Sequence, residues 1–245
     1  MNMKACFLVL IFFTTVLAPV FSQATEKELV LKDNLKRAHA GDYLVTAQNK
    51  NYTILWVRGK EDTRLTFEEI TVPMTQVSEK NFSWRRWLTE GSPGQTCRVM
   101  YTIDLATGSM QQAYSYTKNE WVSIPQSQNF MATLLNLQLR LIPQSDRKKV
   151  GPPPPSDTQD RRSYWQPKVI VDGKEVEGVA FEAWKTRWPK DGSDLAGKVI
   201  EIYVPRENEK YPSYFPYWLQ VSGIVGKAKV RIVDSGSNLF EQKKS

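Results

Sequence analysis

The chain has 245 residues, 41% of them hydrophobic, and a formal net charge of +7, which is ample for one buried core of ordinary single-domain size. The sequence has a single histidine and two cysteines, and with Cys6 inside the N-terminal apolar run the remainder keeps one of each, too few for the three or four N/S ligands of a typical zinc site. With no glycine-rich phosphate loop and no Gly-x-Ser-x-Gly elbow, the sequence predicts no metal, no cofactor and no standard nucleophile machinery.

Met1 to Ala24 carry one charge, Lys4, then an almost unbroken apolar run from Ala5 to Ala18 and a small-residue exit at Ser22-Gln23-Ala24. That order predicts a secretory signal peptide over 1–24, cleaved after Ala24. The alternative, an uncleaved anchor, needs roughly 20 apolar residues to span a bilayer. The expected location is therefore the periplasm or the exterior, with no transmembrane anchor after cleavage. Losing Lys4 lowers the net charge by one, and losing Cys6 leaves Cys97 unable to form an internal disulfide. A small buried strand residue is the expectation there.

Leu29, Val30, Leu35 and Ala38 predict an amphipathic helix over 26–38, closed by Gly41. The period then shortens. Tyr43, Val45, Ala47 and Tyr52, Ile54, Trp56 alternate around Asn49-Lys50-Asn51 and predict a hairpin, and a third strand follows over 65–72. Ser83 before Trp84, Trp87 and Leu88 predicts a short N-capped helix with both indoles on one side. Residues 98–105 and 110–117 flank a Gly-containing turn and predict another hairpin. Phe130, Leu134, Leu137 and Leu141 fit a helix over 130–142.

Pro152 to Pro155 impose an extended segment within a proline-rich loop at 144–167. It is flanked by Arg147-Lys148-Lys149 and Arg161-Arg162. Asp172-Gly173 suits a type I′ turn between 168–171 and 176–181. Strands are expected at 199–204 and 218–222. In 227–233, Ala228, Val230 and Ile232 alternate with Lys227, Lys229 and Arg231, the mark of a sheet with one wet face. The predicted fold is mainly β (α+β): a single domain over 25–240, built as a curved antiparallel half-barrel of about ten strands with two or three covering helices, and a basic tail at 241–245.

Catalysis would have to use His39, which falls at the end of the first predicted helix and is read as solvent-facing. Glu68 and Glu69, adjacent in a strand, point to opposite faces, and Asp191 with Asp194 reads as a turn. The aromatic residues stand out instead. Trp84, Trp87, Trp184, Trp188, Tyr214, Phe215, Tyr217 and Trp218 are the candidate ligand-binding residues, able to line an apolar hollow for an acyl chain. Core packing and carbohydrate stacking are the rival uses of the same rings. The basic tracts could meet anionic envelope polymers or lipid headgroups, with solvated linker and tail as the alternative. Nucleic acid is not expected, because no recognition motif accompanies the charge.

The plan of signal peptide, leading helix, about ten antiparallel strands and apolar interior, spanning Thr25 to Val233, resembles the periplasmic LolA/LolB-type lipoprotein carriers. The resemblance is architectural, while the segments Trp84-Arg85-Arg86-Trp87, Arg187-Trp188-Pro189-Lys190-Asp191-Gly192 and Phe215-Pro216-Tyr217-Trp218-Leu219-Gln220 look more like a different bacterial secreted or envelope family. The carrier resemblance implies a helix-lidded half-barrel that shelters lipoprotein acyl chains without catalysis. Three readings follow. The first is an exported, non-enzymatic envelope protein that binds or carries a hydrophobic acyl or lipoprotein ligand. The second is a protein or glycan interaction module of the envelope. The third is a glycan hydrolase working with carboxylates alone.

Overall fold

The computed structural model describes residues 27–77, 82–124, 130–223 and 226–240. The expected leader at 1–24 and basic tail at 241–245 lie outside the described residues. Within them, fourteen strands and three α-helices succeed one another: β1 (Glu28–Val30), α1 (Leu31–Leu35), β2 (Tyr43–Gln48), β3 (Asn51–Lys60), β4 (Arg64–Pro73), α2 (Trp84–Thr89), β5 (Cys97–Asp104), β6 (Met110–Ser115), β7 (Glu120–Ser123), α3 (Phe130–Asn136), β8 (Gln138–Leu141), β9 (Val169–Val171), β10 (Lys174–Val176), β11 (Phe181–Arg187), β12 (Val199–Pro205), β13 (Trp218–Gly223) and β14 (Gly226–Gly236).

All strands join one large sheet in the order β1-β8-β11-β12-β13-β14-β2-β3-β4-β5-β6-β7, with β9 beside β14 and β10 paired to β9. The sheet is not closed, so β1 and β7 are its two ends. Pairing is antiparallel throughout except for a single parallel contact of β9 with β14 at Val171 and Ser235. The fold is therefore mainly β, as expected, with more strands than the roughly ten the sequence predicts.

Several boundaries differ for identifiable reasons. The helix expected over 26–38 is only Leu31–Leu35, because Glu28–Val30 instead pair with Arg140, Leu139 and Gln138 of β8. The helix expected over 130–142 stops at Asn136. From there Leu137 and Leu139 are buried while Gln138 and Arg140 are exposed, a period of two that makes a strand. The strand expected over 176–181 ends at Val176, and Phe181 opens β11, which the sequence reading did not separate. Cys97, expected to be buried, is exposed at the start of β5, since its strand begins at the sheet's margin.

Other elements form as their residues dictate. The Ser83 hydroxyl accepts from the Arg86 N–H and caps α2. At the β9–β10 turn Asp172 and Gly173 both take positive φ, +48° and +78°, the geometry of a type I′ hairpin. Gly236 in β14 has a different reason: the ring of Tyr43, its partner in β2, lies where a Cβ would sit.

Adjacent residues of the central strands enter different cores. Leu44, Leu55, Leu65, Phe67, Tyr101 and Ile103 join Leu31 and Leu35 of α1 and Leu134 and Leu135 of α3 in a large cluster. Tyr43, Val45, Ile54, Trp56, Ile70 and Val72 join Trp84, Trp87 and Leu88 of α2 in a smaller one. The sheet thus has an inner face, packed against α1 and α3, and an outer face covered piece by piece. Each fully buried Leu, Ile or Val contributes roughly 1.5–3 kcal/mol, and the inner face holds most of them.

Candidate functional site

All eight aromatic residues singled out from the sequence are buried, none more than 8% exposed, and they do not converge on one hollow. Trp84 and Trp87 stack edge to face under α2, 5.7 Å apart. Trp184 pairs with Ile202, which pairs with Leu219, on the inner face. Trp218 pairs with Tyr203 on one side and Arg231 on the other, one residue out of step and hence on the outer face. Trp188 lies flat against Phe130, 5.3 Å between centroids and 8° between planes, and its Nε1 donates to Asp191. Asp191 also accepts from Ser193, which closes the expected turn. Tyr214 and Phe215 are core residues of the segment leading into β13. The Tyr217 hydroxyl is hydrogen-bonded to Pro212 O at 3.0 Å and Ser235 Oγ at 3.1 Å, wholly inside.

Of the eight, Tyr217 and Trp218 also border an apolar-lined groove of about 650 Å³ on the outer face. Its other walls come from Trp165, Pro167, Ile170 and Ile232, with Lys168, Lys229 and Arg231 at the rim. The proline-rich loop builds one side. It folds back on itself through the Lys149–Tyr164 bridge and the Trp165 N–H to Lys148 O bond. Asp160 ties Lys149 and Arg162 together, and those two cations hold its carboxyl well below the usual range. So anchored, the loop sets Trp165 against Tyr203 and Trp218 at centroid distances of 5.1 Å each. Lys148 Nζ lies 4.3 Å over the Trp218 ring and 3.4 Å from Glu201, a cation–π contact reinforced by an ion pair.

The groove is therefore an aromatic and aliphatic floor beside Lys168, Lys229 and Arg231, a setting suited to a ligand with an apolar body and a negative end. Sequence reading found Trp218 and the alternation that exposes Lys229 and Arg231, but missed Trp165. Its signal was present: an indole within the basic, proline-rich loop.

A second cleft, about 620 Å³, is polar and includes Arg37, His39, Asp42, Glu207 and Ser213. The His39 side chain is 77% exposed, with Nδ1 3.9 Å from Asp42, while the His39 backbone N–H donates to Asp42 Oδ2 at 2.8 Å. Burial raises the Asp42 carboxyl above its ordinary value. The arrangement is a loop cap, with the imidazole turned to water. Glu68 and Glu69 take separate environments: Glu68 meets Arg58 and Arg98 on the outer face, and Glu69 meets Tyr101 on the inner one. Among the described residues no group of three or more His, Cys, Asp or Glu could hold a metal ion, and no helix is long and apolar enough to cross a membrane.

A polar knot stands behind the groove. Arg85 of α2 grips Asp172 with two bonds, at 2.9 and 3.1 Å, and the Tyr43 hydroxyl donates to the same carboxylate. Asp234 accepts from the Gly173 and Ser235 N–H groups, and burial pushes its carboxyl up to about 6. These bonds fix the β9–β10 hairpin, and with it Ile170, against β14.

No curated protein matches this chain. Among solved structures, the hypothetical protein CT021 from Chlamydia trachomatis is similar in fold, with a TM-score of 0.58 at 18% identity, covering 86% of this chain and 93% of that one. Residues 53–177 match the family described as CT021 protein, a span from β3 through the β9–β10 hairpin and half of the sequence. On that match the chain belongs to the CT021 protein family.

Proposed function

We propose that this is an exported, non-enzymatic envelope protein that binds an anionic amphiphile, such as a fatty acyl lipid, in the groove between the proline-rich loop and strands β13 and β14. The observation that carries the reading is the meeting of Trp165, Trp218, Ile170 and Ile232 with Lys168, Lys229 and Arg231 in one groove of about 650 Å³, within the usual range of roughly 300–1,000 Å³ for small-molecule pockets. Burying apolar surface there returns about 25 cal/mol per Å², and the rim cations orient the head. The expected half-barrel with helices on its concave side belongs to this reading as the scaffold. Its interior, however, is filled by the Trp184 side of the sheet, so the ligand is placed outside it. The signal peptide supplies the location, periplasmic or extracellular.

The test is titration of the mature protein with a fluorescent fatty-acid probe. Saturable binding that Trp165→Ala and Trp218→Ala each weaken, and that Lys229→Glu with Arg231→Glu weakens further, supports the proposal. A protein that refuses the probe and emerges from gentle purification empty by native mass spectrometry overturns it.

A further inference from the structure

The outer face is not covered everywhere. The proline-rich loop sits over Tyr203 and Trp218, and α2 sits over Tyr43 and Ile54. A cross-strand row runs on through Trp56, Glu68, Met100, Tyr114 and Trp121 to the free end of the sheet. Over that end no described element packs, and Trp121 is 64% exposed and Tyr116 45%. Tyr114 meets both rings edge to face, at 5.1 and 5.3 Å, so the three form a braced aromatic platform. An indole this exposed forgoes the burial that ordinarily accounts for Trp in a fold.

The surroundings of Trp121 are polar rather than greasy. It walls a shallow groove of about 270 Å³ with Arg64, Thr102, Asp104, Ser109 and Gln112. Asp104 is held ionised, below its ordinary range, by the Thr107 backbone and hydroxyl and by the Ala106 N–H. Arg64 contributes one positive charge to the groove and Asp104 one negative, so their formal charges cancel. An acyl chain laid there would strip water from Arg64, Asp104 and Gln112 and return no hydrogen bonds, at a cost of the order of 1–3 kcal/mol per group. A phosphate or other anion would face Asp104. A neutral ligand with one apolar face and a rim of hydroxyls satisfies both halves: its C–H face lies on the indole, and its hydroxyls donate to Asp104 and accept from Arg64 and Gln112.

We infer that Trp121, backed by Tyr114 and flanked by Arg64, Asp104 and Gln112, is a binding site for a neutral pyranose glycan. The groove holds a sugar unit of a longer chain, with the platform continuing under the next. The site is separate from the amphiphile groove in residues and in chemistry, so each stands or falls alone.

The test uses the full mature protein titrated with cellotetraose and with chitotetraose, followed by calorimetry and by indole NMR signals. Binding of at least one oligosaccharide is expected. Trp121→Ala should weaken it by roughly tenfold or more, the scale of losing a Trp anchor, Trp121→Phe should retain part of it, and Trp165→Ala should leave it unchanged. Trp121 is exposed, so the variant folds and its melting curve serves as control. Failure of both oligosaccharides at millimolar concentration, or binding that ignores Trp121→Ala, overturns the inference. So does sedimentation showing that Trp121 joins two copies of the chain through β7.

Discussion

Trp184 and Trp121 are the same side chain on two regions of one sheet, 1% and 64% exposed respectively. Trp184 sits on the inner face among Ile200, Ile202 and Leu139 and belongs to the continuous core under α1 and α3. Trp121 stands on the outer face at the open end, touched by Tyr114. The contrast shows how an antiparallel sheet divides its two faces: one carries most of the buried core, and the other is covered only in parts.

The sharpest way to break that contrast is to truncate the two rings in turn. Trp184→Ala should cost about 3–5 kcal/mol in urea unfolding, the usual loss for a large buried ring, whereas Trp121→Ala should stay within about 0.5 kcal/mol. Comparable costs would mean that the outer end is covered after all. Glu68, 1% exposed on the outer face between Arg58 and Arg98, marks where the covered part of that face gives way to its open end. Glu68→Ala should cost about 3 kcal/mol by leaving two partly buried guanidinium groups without their carboxylate, and chemical denaturation with Glu68→Gln as the milder comparison checks it.

The next expected effect is on pH. Unfolded Asp234 titrates at the ordinary 3.8, and burial raises it to about 6 in the folded protein. Between those values the native state holds a proton that the unfolded chain has lost. Stability therefore falls as pH rises from 4 to 6 and levels off above, by up to about 3 kcal/mol. Burial also raises Asp42 and Glu69, which act in the same direction. Thermal melts should show the fall, and Asp234→Asn should flatten it while keeping an acceptor for Gly173 and Ser235. A smaller loss is expected for Ser83→Ala, about 1 kcal/mol through the lost cap on α2, measured in the same melts.

How much of this was legible follows the range of the interactions. The β2–β3 hairpin, the Ser83 cap and the Asp172-Gly173 turn are local, and the sequence announced each correctly. Glu28–Val30 became a strand because β8, more than a hundred residues away, offers it an edge, and no local pattern announces a distant partner. The Leu137 to Leu141 stretch was legible in principle, since Gln138 and Arg140 interrupt the leucines at strand spacing, but Phe130, Leu134 and Leu137 set a helical expectation that carried too far. Trp184 and Trp218 were grouped because both are tryptophans near strands. Pairing puts them on opposite faces, a difference of one residue in register that composition does not encode. Trp165 and Trp121, which border the two grooves and were not singled out from the sequence, lie in segments without a clear period.

The central claim, that the outer groove and not the interior takes the ligand, is tested most directly by photo-crosslinking a diazirine fatty acid to the mature protein and mapping the labelled peptides. The account predicts adducts on the segments holding Trp165 to Ile170 and Trp218, lost in Trp165→Ala. Adducts on the inner face, at Trp184 or at Leu134 and Leu135 of α3, would contradict it.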